Sequence, residues 1–220
     1  MEKEKLFKIA NDQRRGKNIL DTETKKEGFG VDMSFGEYAL IVCNRSPQAY
    51  GPMLEKRIIS ELGDAVSRVS SKKNRGDLKL RNTDEHMEIK VTCLDSTKKF
   101  NIVQVREYQD IKFYIIVIIH PEEQSTSYKY DLLCIPHTDV VAIVKEYGGS
   151  AHGTKESVKG NKNKELRVTL NYNKHKHVID KYRVNDFAQL KKKLMGENYE
   201  MPKIQSTIFE YYTLPRRLFE

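Results

Sequence analysis

The sequence predicts an α/β fold in which a central mixed β-sheet is flanked by helices. Three observations lead there. Helix-like and strand-like segments follow in the order helix, several strands, helix, strand, helix, which suits helices layered on a sheet. Phe113 to Ile119 is an unbroken β-branched and aromatic run, the pattern of a strand buried on both faces. The neighbouring strand-like segments are joined by short turns, which argues against the long crossovers of a purely doubly wound sheet.

The first forty or so residues are polar, and Gly16, Gly28, Gly30 and Gly36 interrupt any periodic pattern. Residues 1–46 are therefore expected to form an arm that orders on a partner or an irregular wrap over the domain. After Ser46-Pro47, Leu54, Ile58, Ile59 and Leu62 recur at helical spacing over Tyr50 to Leu62. Pro52 fits the first turn of that helix and Gly63 its stop. Asp77 to Arg81 and His86 to Cys93 alternate as strands do, and Phe100 to Arg106 carries Phe, Ile, Val and Val across both faces. Tyr130 to Ile135 is a further strand, ended by Pro136. Thr138 or Asp139 is placed to cap a helix that runs to Tyr147 and stops at Gly148-Gly149. Residues 47–147 thus form the expected core. Within residues 148–220, a Gly- and Lys-rich stretch to Lys164 precedes a strand at Leu166 to Leu170 and a short amphipathic helix at Phe187 to Leu194.

Composition narrows the functional classes. A hydrophobic share of 38%, with 8 Phe and 12 Tyr, supplies a real core and argues against wholesale disorder. The net charge is +8 and the pI about 9.2, with Lys and Arg mixed among acids rather than gathered in a tail. Such a surface aids solubility and, in an enzyme, attracts a polyanion. Cys43, Cys93 and Cys134 stand far apart without a CxxC pair or a Cys/His cluster, so zinc is not indicated and a reducing compartment is. Residues 1–20 lack an apolar signal segment. Phe113 to Ile119, the longest apolar run, is far too short to span a bilayer. A cytoplasmic protein with no membrane partner is expected.

Chemistry concentrates around Glu88-Ile89-Lys90. If Met87 to Val91 is a strand, Glu88 and Lys90 share a face and Ile89 points away. Asp77 lies on the preceding strand, behind Gly76, and the polar turn Asn82-Thr83-Asp84-Glu85 joins the two. A hairpin there brings Asp77 close to Glu88. Two carboxylates offer hard oxygens for Mg2+, which takes few protein ligands and keeps several waters. The Ile89 backbone carbonyl is a possible third oxygen. Lys90 is suited to orient a water or offset charge in a transition state. Glu-x-Lys alone is ordinary strand surface. Glu55 either faces solvent beside Lys56 and Arg57 or approaches the metal. Gln104, an amide in an apolar strand, implies an internal hydrogen bond or support of the active centre.

Asp77 followed by Glu88-Ile89-Lys90 resembles the PD-(D/E)XK nuclease superfamily, and the surroundings, from Tyr50 to Lys155, look most like small type II restriction endonucleases. Gly51-x-x-x-Glu55 looks like the helix that offers an additional carboxylate in that group. Phe100 to Arg106, then Tyr108-Gln109-Asp110, looks like the post-catalytic strand and its exit. Gly76 departs from the pattern, since the proline of the namesake motif is missing. The resemblance implies a restriction-endonuclease-like core and Mg2+-dependent hydrolysis of both strands of double-stranded DNA. It also implies a short, palindromic site, a homodimer and a prokaryotic host. Asp77, Glu88, Lys90, Glu55 and Gln104 are then the catalytic candidates. Asp77, Glu88, Glu55 and Ile89 are the metal candidates.

Several basic and small-residue segments are candidate DNA contacts. Lys72, Lys73, Asn74 and Arg75 run directly into Asp77, where they would grip phosphates, and Arg106 is a further phosphate ligand. Ser150, Ala151, His152, Thr154 and Lys155 form a small-residue loop similar to one in some small restriction enzymes. It lacks the ending of a P-loop, so no nucleotide cofactor is expected. Asn171, Asn173 and Lys174 stand in a polar cluster with His175, Lys176 and His177 and are suited to base edges. Two alternatives stay open: a nicking or structure-specific repair nuclease of the same superfamily, and a non-catalytic DNA-binding protein.

Overall fold

A computed structural model describes residues 2–12, 17–44, 47–69, 75–150 and 165–196. The chain begins with helices rather than an irregular wrap: α1 (Lys3–Asn11), α2 (Lys17–Glu23) and α3 (Phe35–Cys43). Periodicity is broken where Gly28 and Gly30 take positive φ in the turn between α2 and α3, a conformation that glycine adopts without steric cost. The third helix then restarts on Ser34. Its hydroxyl accepts from the Glu37 amide at 3.3 Å, and the Glu37 carboxylate accepts from the Ser34 amide at 2.8 Å. That reciprocal box satisfies amides left over at a helix start. Leu6, Ala10, Leu20, Leu40 and Ile41 are buried, so the expected arm belongs to the core.

The remaining elements are α4 (Pro47–Leu62), a 3-10 turn at Gly63–Ala65, β1 (Val66–Arg68), β2 (Leu78–Leu80), β3 (His86–Cys93), β4 (Lys99–Arg106), β5 (Phe113–His120) and β6 (Lys129–Pro136). They are followed by α5 (His137–Tyr147), β7 (Gly148–Ser150), β8 (Glu165–Asn171), α6 (Lys176–Tyr182), β9 (Arg183–Val184) and α7 (Phe187–Met195). Because α4 starts at Pro47, Pro52 lies inside the helix rather than in its first turn. Gly148 and Gly149 end α5 as expected, but then continue as β7.

The strands form a 6-stranded mixed sheet in the order β1-β2-β3-β5-β6-β9 and a 3-stranded sheet in the order β4-β8-β7. β3 pairs with β5 in parallel, Glu88 opposite Tyr114 and Lys90 opposite Ile116. Parallel neighbours need a long crossover, and here β4 with its flanking loops supplies it. β4 therefore leaves β3 and pairs antiparallel with β8. Every other contact in the large sheet is antiparallel.

Two cores flank this sheet. Met87, Ile89, Ile115, Val117, Ile119 and Leu132 join Leu6, Leu40, Leu54, Ile58 and Leu190 from the helices on one side. Tyr114, Ile116, Ile118 and Leu133 point the other way, onto Phe100, Ile102 and Val168 of the smaller sheet and Val140 and Val144 of α5. β5 thus feeds both cores by alternation, as its unbroken apolar run required. Asp131 ties the C-terminal part to the sheet. Its carboxylate accepts from the Tyr172 hydroxyl at 2.7 Å, lies 2.8 Å from His120 Nε2 and pairs with Arg183. Burial opposes ionisation of Asp131, but these partners hold its pKa below the ordinary value. Among the described residues no helix is long and apolar enough to cross a membrane.

Candidate active site

The site forms where β2 stops pairing with β3. Gly76 enters it at φ +77°, and a Cβ built there would stand 2.4 Å from the Met87 carbonyl oxygen. Only glycine passes that close. The Asp77 amide then donates to the Met87 carbonyl at 2.9 Å. Its carboxylate Oδ2 accepts from the Ile89 amide, also at 2.9 Å. A side chain thus takes over the pairing that backbone supplied one step earlier. Alternate residues of a strand turn their backbone groups to the same side, so the Ile89 carbonyl faces the edge that Asp77 occupies.

Glu88 and Lys90 project together from β3, as alternation predicts. Their side chains are 12% and 14% exposed, and Lys90 Nζ donates to Glu88 Oε1 at 2.6 Å. Gln109 Nε2 donates to the other oxygen, Oε2, at 3.2 Å. Burial pushes the Glu88 carboxyl above the ordinary carboxylate range; the Lys90 charge opposes that rise and the Asp77 charge adds to it. Glu55, half-buried on α4, is raised by burial first and by the Asp77 charge next, with Lys90 pulling the other way. Glu88 adds a smaller upward push on Glu55 and Arg68 a smaller downward one. Asp77, which precedes β2 rather than starting it, thus shares one electrostatic neighbourhood with Glu88 and Lys90 of β3 and Glu55 of α4.

The donor set suits a hard cation that needs few protein ligands. Among the described residues no group of three His, Cys, Asp or Glu side chains is arranged to hold a metal ion, so Glu55 does not complete a three-carboxylate cage. Asp77, Glu88 and the Ile89 carbonyl offer hard oxygens of the kind and number that Mg2+ accepts when it keeps its waters. Crowded carboxylates raise one another's pKa, and a cation relieves that crowding.

Other predicted residues fall elsewhere. Gln104 is exposed, with φ +56°, at an irregularity of β4 between Ile102 and Val105. The bulge turns it out to solvent, so the amide that reaches Glu88 is that of Gln109. Arg106 pairs with Glu165 at 2.8 Å across β4 and β8. Asn171 Oδ1 accepts from the amides of Asn173 at 3.1 Å and Lys174 at 3.0 Å within its turn, and Nδ2 donates to the Thr97 carbonyl in the loop before β4 at 3.2 Å. Asn173, Lys174, Arg75 and Ser150 are exposed. Lys72, Lys73, Asn74, Ala151, His152, Thr154 and Lys155 lie outside the described residues.

Sequence reasoning placed Gln109 only in the exit from the post-catalytic strand and gave its side chain no role. The residue is only 8% exposed, yet it sits in a polar stretch between strands, where no periodicity marks a side chain as buried. The sequence matches no known protein-family model, and no curated protein is significantly similar to it.

Proposed function

We propose that this chain is a Mg2+-dependent endonuclease that cuts both strands of double-stranded DNA at a specific site, as type II restriction enzymes do. Its centre would be of the PD-(D/E)XK kind. The observation that carries this is the meeting of Asp77 with Glu88 and Lys90 at the fork between β2 and β3. Asp77, Glu88 and the Ile89 carbonyl are the groups that would hold Mg2+. An ion held there would supply Lewis-acid polarisation of the scissile phosphate and acidify the attacking water.

The side chains of this chain do the rest. Lys90 is held by Glu88 at 2.6 Å, so its ammonium is positioned to orient the attacking water and to offset charge on the pentacovalent phosphorus. Glu55 approaches from α4 and adds negative potential near the same water. The absent proline has a physical cause. Gly76 holds φ at +77°, whereas a proline ring fixes φ near −65°. The motif's usual residue does not fit this backbone. A mixed sheet flanked by helices is compatible with a restriction-endonuclease-like core, and the +8 charge favours a polyanionic partner. Cutting two strands symmetrically calls for two centres, hence a homodimer on a palindromic site.

Plasmid incubated with Mg2+ tests this directly, with Asp77→Ala and Lys90→Ala beside the wild type. Discrete fragments that both variants lose support a restriction enzyme. Nicked circles or a smear favour the repair nuclease. Tight DNA binding without cleavage under any divalent ion defeats the catalytic claim and leaves a binding protein.

A further inference from the structure

We infer that Gln109 is the positioning residue for Glu88, clamping the carboxylate in the orientation that metal binding requires. The inference rests on the nuclease function proposed above. Glu88 is gripped at both oxygens, by Lys90 Nζ on Oε1 and by Gln109 Nε2 on Oε2. Two donors on opposite oxygens fix the plane of the group, whereas one donor would let it swivel. Each oxygen keeps a further lone pair for a cation.

Gln109 is itself held firmly. Its backbone amide donates to the Arg106 carbonyl at 3.4 Å, and its backbone carbonyl accepts from the Ile111 amide at 3.0 Å. The loop around it is fastened at both ends. At one end His137 Nε2 lies 3.1 Å from the Glu107 carbonyl, and Lys145 pairs with the Glu107 carboxylate. At the other the Lys112 amide donates to His86 at 2.8 Å, two residues before Glu88 on the same strand, while its carbonyl accepts from the His137 amide at 2.9 Å. Loop, strand and α5 thus form one closed frame with Gln109 at its centre.

The chemistry of the side chain fits the task. An amide donates without bringing charge, so it orients a metal-binding carboxylate without competing with the cation. A Lys or Arg in its place would compete. The amide orientation is fixed by its neighbour, since reversing it would set a carbonyl against a carboxylate. The other end, Oε1, is buried with no partner among the described residues. The donor on Glu88 is the hydrogen bond that the site retains.

Gln109→Met removes the donor at nearly constant length. Calorimetric Mn2+ titration of the protein without DNA and the Mg2+ dependence of plasmid cleavage are the readouts. Both half-saturation points are expected to rise about 10–100-fold, with the melting temperature kept. Gln109→Asn, whose amide falls one methylene short, is the second variant should Gln109→Met fail to fold, and it shifts in the same direction. Wild-type Mn2+ affinity and Mg2+ dependence in whichever variant folds would overturn the inference. Wild-type protein that takes up no Mn2+ and cuts no DNA overturns the nuclease function instead, before any variant is compared.

Discussion

Glu55 and Glu88 carry the electrostatic burden of the site. Burial leads in lifting both above the 4.5 of an ordinary glutamate, with the Asp77 charge adding to it. A carboxylate raised in this way holds its proton more tightly in the folded chain than in the unfolded one. Its penalty is absent below the unfolded value of 4.5, grows as pH rises, and is complete above the folded value. Glu55→Gln removes it. Thermal scans of metal-free protein are expected to show a higher melting temperature for the variant at about pH 8 and no difference at about pH 4. Each 1 kcal/mol relieved reads as about 2–4 °C, and equal shifts at both pH values would rule out an electrostatic origin. Lys90→Ala is expected to slow cleavage about 10²–10³-fold, measured at saturating Mg2+; a rate within twofold of wild type would exclude a role near the reacting phosphate. Asp77, Glu88 and Lys90 were legible in the sequence because a strand has a period of two and the intervening turn is short. Gln109 was not, because a loop carries no period from which burial can be read.

The elements show the same division. Alternation located β3, and the unbroken apolar run β5, to within a residue or so, but neither gave the partner of β4, whose pairing with β8 depends on chain arriving much later. A bulge at Gln104 adds a local exception that alternation cannot anticipate. The N-terminal helices were missed, although Ser34-x-x-Glu37 is the capping-box signature of α3, because glycines interrupt the periodic pattern and each helix is short. Arg57 of α4 holds that region in place, with Nη1 donating to the Gly30 carbonyl at 2.7 Å and Nη2 to the Met33 carbonyl at 2.6 Å. Its guanidinium also lies 5.5 Å from the Tyr38 ring centroid. Arg57→Met is expected to cost about 2 kcal/mol, seen as a melting point lower by about 4–8 °C; an unchanged melting point would mean that the N-terminal helices do not depend on it. Gly76→Ala strikes the fork itself. The left-handed backbone alone costs about 1–2 kcal/mol, and the clash with Met87 displaces Asp77 as well. Cleavage is expected to fall further than stability does, a split that activity assays and melts on one preparation resolve.

For the whole molecule, composition spoke to charge and core size, and the order of elements to the layering; neither bears on assembly. A dimeric enzyme is expected to sediment at twice the 25.7 kDa of the chain, and a single-chain mass at working concentration with full activity would exclude a two-fold enzyme. The large sheet separates two packed layers, and the centre draws on both. Glu55 rides on α4 within one layer, Gln109 hangs from the loop that leaves the sheet of the other, and β3 runs between them. The carboxylates therefore act as a vernier, in register only while both scales stay aligned. A small slide of one layer would spoil the alignment while every helix and strand survived. Warming is thus expected to silence cleavage before the chain unfolds. Activity and far-ultraviolet circular dichroism along one temperature ramp separate the two events, and coincident losses would show that the layers part only when the whole molecule does.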